Sequence, residues 1–247
     1  MYIKIKNTLK AILPKGFIYK HESKLRFILY QFYHGSNFYC NICDKDLRRF
    51  MKLADGDKLC PSCGSLARNR RLWDILQSDY LKEKLKVLDF SPSRNLYRIL
   101  KENTAISYTS TDFSGEFLAD KQYDITHIDL PDNSFDLIIC YHILEHVEND
   151  LKAIAELHRV LRTDGICMIQ TPFKEGNIYE NLLIRTPKER IKHFGQVDHV
   201  RIYSVDGLKN RLLSAGFQVA VKEYTEPNDN KFGFKEKEYI IIAKKTN

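Results

Sequence analysis

Apolar residues recur along this chain with two different rhythms, and the change comes near residue 86. SKLRFILYQFY (23–33) has apolar positions at helical spacing, and SLARNRRLWDILQSDYL (65–81) reads as a second helix. Beyond 86, short apolar runs alternate with amphipathic ones. KVLDFS (86–91), ISYTSTDF (106–113), FDLIICYH (135–142) and DGICMIQTP (164–172) read as strands, with a short further strand expected near 122–126. RNLYRILKE (94–102), NDLKAIAELHRVLR (149–162) and VDGLKNRLLSAGF (205–217) read as helices between or after them. QVAVKEY (218–224) and KEYIIIAKK (237–245) close the chain as two strands joined by a polar loop, with a hairpin as one way of pairing them. Repeated strand–helix units predict an α/β fold, a doubly wound parallel sheet that takes ligands at the carboxyl ends of its strands.

Composition bounds this picture. With 43% hydrophobic and 12% aromatic residues among 247, the chain can build one good-sized core plus a small appendage, and disorder is excluded as its main state. The apolar runs are far too short for a membrane span. The net charge of +7 is unevenly spread: residues 1–39 carry +6, 40–86 carry +4 and 87–247 carry −3. Three regions follow: a basic amphipathic helical arm (1–37), a cysteine-rich ribbon with its following helix (38–85) and a mildly acidic domain (86–247). The arm, which also carries Lys4, Lys6 and Lys10, reads at 23–33 as a helix packed on the main domain with solvated lysines, Lys24 and Arg26 lying near its start. Peripheral contact with a membrane surface or an acidic partner is the sharper alternative.

The six cysteines separate by setting. CNIC (Cys40, Cys43) and CPSC (Cys60, Cys63) are two tight knuckles, and together they complete a tetrahedral S₄ shell that suits Zn²⁺. Pro61 and Gly64 supply the turn chemistry of the second knuckle. An iron centre or two disulfides are the competing readings. Four thiolates fill the shell, so the metal is expected to be structural. No secretory leader is recognisable, which points to reduced thiols and a cytoplasmic location. Cys140 and Cys167 lie in strand-like runs as small buried hydrophobes.

The strand ends carry the polar residues a nucleoside-type ligand needs. Asp89 closes the first strand of the sheet and Asp112 the second, where a carboxylate can receive a ribose diol. Asp124 and Ile125 follow the expected third strand, and Cys140, Tyr141 and His142 end the fourth.

These segments resemble the class I S-adenosylmethionine-dependent methyltransferases. The resemblance is carried by VLDFSPS (87–93), YTSTDF (108–113), YDITHIDLPDNSFDLIICYHILEHV (123–147) and ELHRVLRTDG (156–165), and it covers about 86–245. It implies a Rossmann-like class I methyltransferase sheet with helices on both faces, plus a small N-terminal zinc ribbon. The ribbon, the following SLARNRRLW and the tail 195–217 resemble a subgroup associated with bacterial surface-polysaccharide functions. The resemblance implies S-adenosylmethionine held by Asp89, Phe90, Ser91, Asp112, Phe113, Asp124, Ile125, Cys140 and Tyr141. The family's glycine-rich loop is missing, because DFSPSRN (89–95) has no glycine, so the backbone is expected to be barred from the usual glycine conformations. Side chains such as Ser91 would hold the cofactor's amino acid instead, and Arg68 or Arg70 would meet its carboxylate. No Asn/Asp-Pro-Pro-aromatic signature follows the fourth strand, which speaks against amino-group methylation of nucleic-acid bases.

A hydroxyl acceptor would need a base. His199, in GQVDHVRIY where Asp198, Arg201 and Tyr203 also crowd, is the first choice, and His142 with Glu145 and His146 after the fourth strand is the second. A pairing of Asp198 with Arg201 that merely fixes the loop is the plainer reading of that crowd. The HxxEH spacing resembles an inverted zincin signature, yet it follows a strand end rather than lying within a helix. The expected acceptor is a small molecule or glycan, with phosphorylated ones included. An RNA substrate bound through Arg48, Arg49, Arg68, Arg70 and Arg71, and a cofactor-free scaffold of the same fold, are the alternatives.

Overall fold

A computed structural model describes residues 15–226 and 229–246, and the arm's Lys4, Lys6 and Lys10 lie outside them. The chain forms two compact units, one of residues 1–78 with 226–235 and one of residues 79–225 with 236–247. Among the described residues no helix is long and apolar enough to cross a membrane.

The first unit holds α1 (Lys15–Gln31) and two short antiparallel ladders. One pairs β1 (Phe38–Cys40) with β2 (Lys45–Leu47), the other β3 (Met51–Lys52) with β4 (Lys58–Leu59). Helix α2 (Ala67–Ile75) follows and runs into a single π-helical turn, Leu76–Tyr80. Both knuckles are built alike. The residue after each second cysteine is left-handed, Asp44 at φ 51° and Gly64 at φ 78°, and each donates its N–H to the carbonyl of the first cysteine at 2.9 Å. Along α1, Arg26 pairs with Glu22 at 2.9 Å, while Leu25, Phe27 and Ile28 are exposed.

The segment 226–235 was expected within the catalytic domain, and the boundary between the units was expected at 86. The structure corrects both points. Tyr39 donates its N–H to the Lys231 carbonyl at 2.9 Å, and the carbonyls of Phe232 and Gly233 accept from Arg70 at 2.7 and 2.8 Å. Arg71 pairs with Glu226 and lies 3.8 Å from the Phe234 ring centroid. Carbonyls and rings of a loop far away in sequence therefore complete the first unit, and no local pattern announces that.

The second unit is a six-stranded mixed sheet flanked by helices, in the order β11-β12-β8-β7-β5-β6. Its strands are β5 (Lys86–Phe90), β6 (Ser107–Thr111), β7 (Phe135–Tyr141), β8 (Leu161–Gln170), β11 (Phe217–Thr225) and β12 (Lys237–Lys245). A two-stranded ladder of β9 (Tyr179–Glu180) and β10 (Arg201–Ile202) stands apart from it. The helices are α3 (Arg94–Glu102), α4 (Asp150–Val160), α5 (Pro187–Phe194) and α6 (Val205–Ser214). The first four sheet strands are parallel, β12 is antiparallel to β8, and β11 and β12 form the hairpin. Strand β5 lies between β6 and β7, and the order of building reverses there, which opens a crevice beyond the carboxyl ends of β5 and β7. Burial of Leu88, Ile138, Cys140, Ile154, Cys167 and Ile241 forms the core and fixes those ends.

The strand expected near 122–126 does not form; isolated bridges Thr111↔Lys121 and Asp124↔His127 stand in its place. Asp124 Oδ1 accepts from both the N–H and the hydroxyl of Thr126 at 2.8 Å, so the chain turns where a ladder would have continued. The sheet therefore ends at β6.

Gly233 has φ +62°, and a Cβ there would overlap the Phe50 ring. Gly233→Ala should destabilise the first unit by about 1–3 kcal/mol, from backbone strain plus overpacking. The emission of Trp73, the chain's single tryptophan and buried in that unit, would report this as a lower denaturation midpoint.

Candidate functional site

Beyond β5 the chain enters the left-handed region without glycine. Ser91 takes φ +46°, which corrects the expectation that the loop is barred from such conformations. Its N–H donates to the Thr111 carbonyl at 2.7 Å, and its hydroxyl donates to Asp112 Oδ1 at 2.7 Å. Asp112 Oδ2 accepts from Ser114 Oγ at 2.9 Å and from the Phe117 N–H at 3.2 Å. This buried carboxylate is thus held rigidly at the end of β6, with Phe113 and Phe117 exposed beside it. A fixed acidic group at this point of the fold suits a ribose diol.

Asp89, in β5, is buried and accepts from the Tyr108 hydroxyl at 3.0 Å. Burial pushes its carboxyl up to about 7, against the opposing pull of that hydrogen bond. Phe90, Ile125 and Cys140 are expected beside a cofactor. Their side chains are buried in the apolar core at the carboxyl end of the sheet. Tyr141 is half-buried at the end of β7. Gln170 ends β8 and Thr171 follows it, with Gln170 Oε1 and Thr171 Oγ1 buried and without a hydrogen-bond partner. Neither residue is among the sequence-based candidates; two polar residues after an apolar run and just before Pro172 are the signal that marks them.

Arg70 was expected to meet a cofactor carboxylate, and the structure corrects this. It is fully buried in the first unit, where its guanidinium donates to the carbonyls of Lys58, Ser65, Phe232 and Gly233. Its plane lies 4.0 Å from the Phe50 ring centroid. Beside it, the four cysteines form a cluster with no disulfide. Cys40 Sγ lies 3.7 Å from Cys63 Sγ, and Cys43 Sγ lies 3.8 Å from Cys60 Sγ. A tetrahedron with metal–sulfur bonds of about 2.3 Å has edges of about 3.8 Å, so the sulfurs are already spaced for a metal ion. The Ser65 hydroxyl lies within hydrogen-bond reach of Cys40 and Cys63 at 3.4 and 3.2 Å.

A second polar cluster follows β7. His142 takes φ +57° and donates its N–H to the Gln170 carbonyl at 2.8 Å. A 3₁₀ turn, Leu144–His146, comes next, so HxxEH does not lie in an α-helix. His142 Nδ1 is 3.1 Å from Glu145 Oε1. His146 Nδ1 is 3.1 Å from Asp198 Oδ2, and its ring meets that of His199 edge-on at 4.6 Å. The Val200 N–H bonds the Glu145 carbonyl at 2.9 Å, which draws the 198–200 segment onto this turn. Burial pushes the Glu145 carboxyl up, but the hydrogen bond and charge of His142 and the charge of His146 outweigh it and hold it below the usual range. Burial, then the charge of His146, lowers His199 below the ordinary imidazole value.

The crowd at 198–203 divides in two. Asp198 pairs with His146, not with Arg201, so the plainer reading of that loop is corrected. Arg201 donates to Glu180 Oε2 and to the carbonyls of Leu144, Val147 and Glu148. Tyr203 and Arg211 both donate to Asp150. Arg201 therefore clamps the segment that carries Glu145 and His146, and it presents no donor to a substrate.

Residues 66–221 match the model of a family described as a methyltransferase domain, and the chain belongs to that family. It is 30% identical over 134 residues to an uncharacterized protein of Methanocaldococcus jannaschii, covering 48% of this chain and 57% of the relative. It is 31% identical over 100 residues to a probable S-adenosylmethionine-dependent methyltransferase of Mycobacterium tuberculosis, covering 39% of this chain and 31% of the relative. The chain thus spans less than two thirds of either relative's length. In fold it is similar to a SAM-dependent methyltransferase from Archaeoglobus fulgidus, at a TM-score of 0.51 and 18% identity over 72% of this chain and 92% of that one.

Asp89 gives this site a pH signature. Its pKa is raised from 3.8 to about 7, so the folded state favours the neutral form and loses stability as pH rises from about 4 to about 7. Asp89→Asn escapes that loss. Its advantage over the native chain should therefore grow across this window and level off above it, as read by denaturation midpoints without added ligand. Parallel midpoint curves would contradict a buried, neutral-preferring Asp89.

Proposed function

We propose that the chain is an S-adenosylmethionine-dependent methyltransferase acting on an oxygen of a small hydroxyl-rich acceptor, such as a sugar, a glycan precursor or a phosphorylated metabolite. The observation that carries this reading is the rigidly held Asp112 at the end of β6 together with a histidine–carboxylate pair after β7, at the same end of one sheet. Asp112 would accept the ribose hydroxyls, with the Ser91 backbone beside the amino-acid portion and Asp124 and Ile125 beside the base. Bound there, S-adenosylmethionine supplies a methyl group on a sulfonium that departs as a neutral thioether. His142, rather than the His199 that the sequence favours, is the base: Glu145 Oε1 holds its Nδ1–H, which makes Nε2 the nitrogen that accepts the acceptor's hydroxyl proton, while His199 packs edge-on against His146. The relative from M. tuberculosis, a probable S-adenosylmethionine-dependent methyltransferase, supports the cofactor class.

An RNA acceptor is less well supported. Of the five arginines that reading relies on, Arg70 and Arg71 are buried and committed within their own unit. The scaffold reading loses its motive as well, because Ser91 adopts the conformation that glycine would have supplied. Calorimetry should show S-adenosylmethionine binding to the native chain and at least tenfold weaker binding, about 1.4 kcal/mol, to Asp112→Ala. No binding at millimolar cofactor would sink the enzyme reading. Transfer of labelled methyl to RNA, with none to nucleotide sugars, would overturn the acceptor class.

In the four-cysteine cluster the proposed ion is a structural Zn²⁺, because four thiolates close its shell. Zinc with four thiolates carries a net charge of −2, and the buried Arg70 guanidinium offsets part of it. The native chain should hold one zinc per molecule in this cluster. Cys60→Ser should lose that zinc and shift Trp73 emission to the red. Unchanged metal content and emission would contradict a structural zinc.

A further inference from the structure

The cluster after β7 holds more donor atoms than a proton transfer requires. Once His142 and Glu145 Oε1 are paired, Glu145 Oε2, His146 and His199 remain. One ligand atom from each of Glu145, His146 and His199 lies within 4.8 Å of the other two. Glu145 is 1% and His199 3% exposed, and both Glu145 Oε2 and His199 Nε2 are buried without a hydrogen-bond partner. Leaving such atoms bare is costly, so a fold that brings them together calls for an occupant.

The outer atom of each side chain is already held. Glu145 Oε1 faces His142 Nδ1, and His146 Nδ1 faces Asp198 Oδ2, both at 3.1 Å. His199 hydrogen-bonds the Phe194 backbone, and Nε2 is its ring nitrogen without a partner. With Nδ1 engaged in both imidazoles, Nε2 is the nitrogen left to bind. Rings oriented by a carboxylate or a backbone carbonyl on the far nitrogen are how proteins prepare imidazoles for a metal. Water is a poor substitute, because one molecule donates two hydrogen bonds and three acceptors converge here.

We infer that Glu145, His146 and His199 bind a divalent transition-metal cation, at a site separate from the four cysteines. Two imidazoles and one carboxylate suit Zn²⁺, Fe²⁺, Co²⁺ or Mn²⁺ better than Mg²⁺ or Ca²⁺. Three protein ligands leave coordination positions open, and these would take oxygen from the acceptor. The acceptor class narrows accordingly to molecules with two adjacent oxygen donors, such as vicinal hydroxyls or a hydroxyl beside a carboxylate or phosphate. Only this narrowing rests on the methyl-transfer reading; the cation site itself does not.

The test titrates the full-length protein, with zinc retained in its cysteine cluster, with Mn²⁺, and follows free Mn²⁺ by electron paramagnetic resonance. A parallel titration counts zinc equivalents. Saturable binding of one Mn²⁺, or of a second zinc, is expected in the native chain. Glu145→Gln and His199→Asn should each weaken it at least tenfold, and Asp198→Asn should weaken it by about 10–100-fold through the orientation of His146. Thermal melting identifies any variant that fails to fold, and the native titration stands without the variants. No bound Mn²⁺ and no second zinc, or binding untouched in folded Glu145→Gln and His199→Asn, would overturn the site. Calorimetry with S-adenosylmethionine on the same samples separates the two readings: metal bound with no cofactor binding keeps the cation site and sinks the methyltransferase.

Discussion

The hydroxyl of Ser91 donates to Asp112 at 2.7 Å while the Ser91 backbone sits in the left-handed region, and the crevice depends on this one link. A non-glycine residue in that conformation costs roughly 1–2 kcal/mol. A hydrogen bond to a charged acceptor contributes about 1.5–3 kcal/mol, enough to offset the strain. The bond ties the loop after β5 to the end of β6 and fixes where the carboxylate stands. Replacing serine with glycine would free the backbone and lose the tie. The missing glycines are therefore a different solution to the same geometric demand.

Strain recurs across the crevice. His142 is also left-handed, at φ +57°, and it too is anchored by a backbone bond, to the Gln170 carbonyl. Two strained residues at the ends of neighbouring parallel strands, each held by hydrogen bonds, mark the place where the fold stores precision for chemistry. Arg201 serves the same end from further off. By binding three carbonyls of the 144–148 segment, it fixes Glu145 and His146 without entering the site.

Much of this was legible in the sequence, because strong local patterns dominate it. The apolar runs at 86–91 and 135–142 became β5 and β7, RNLYRILKE became α3 at its expected bounds, and the CxxC pairs met as a four-sulfur cluster. What escaped depends on partners distant in sequence or on side chains that compete with the backbone. Asp124 turned a strand into a turn by bonding Thr126. Arg70 read as an available cation, yet carbonyls from residues 232 and 233 consume it. Asp198 chose His146 over the nearby Arg201, which no spacing rule distinguishes. The excess positive charge of the first 86 residues suffers the same fate in part, since Arg70 and Arg71 are spent on internal bonds rather than displayed.

The central claim is that one nucleoside cofactor lies across the carboxyl ends of β5 and β6 with its sulfur toward the His142–Glu145 pair. A crystal structure with S-adenosylhomocysteine tests it most directly. The account predicts ribose hydroxyls on the Asp112 carboxylate, the amino-acid portion along the Ser91 loop and the sulfur facing the segment after β7. Ribose density away from Asp112, or a sulfur turned from His142, would contradict it.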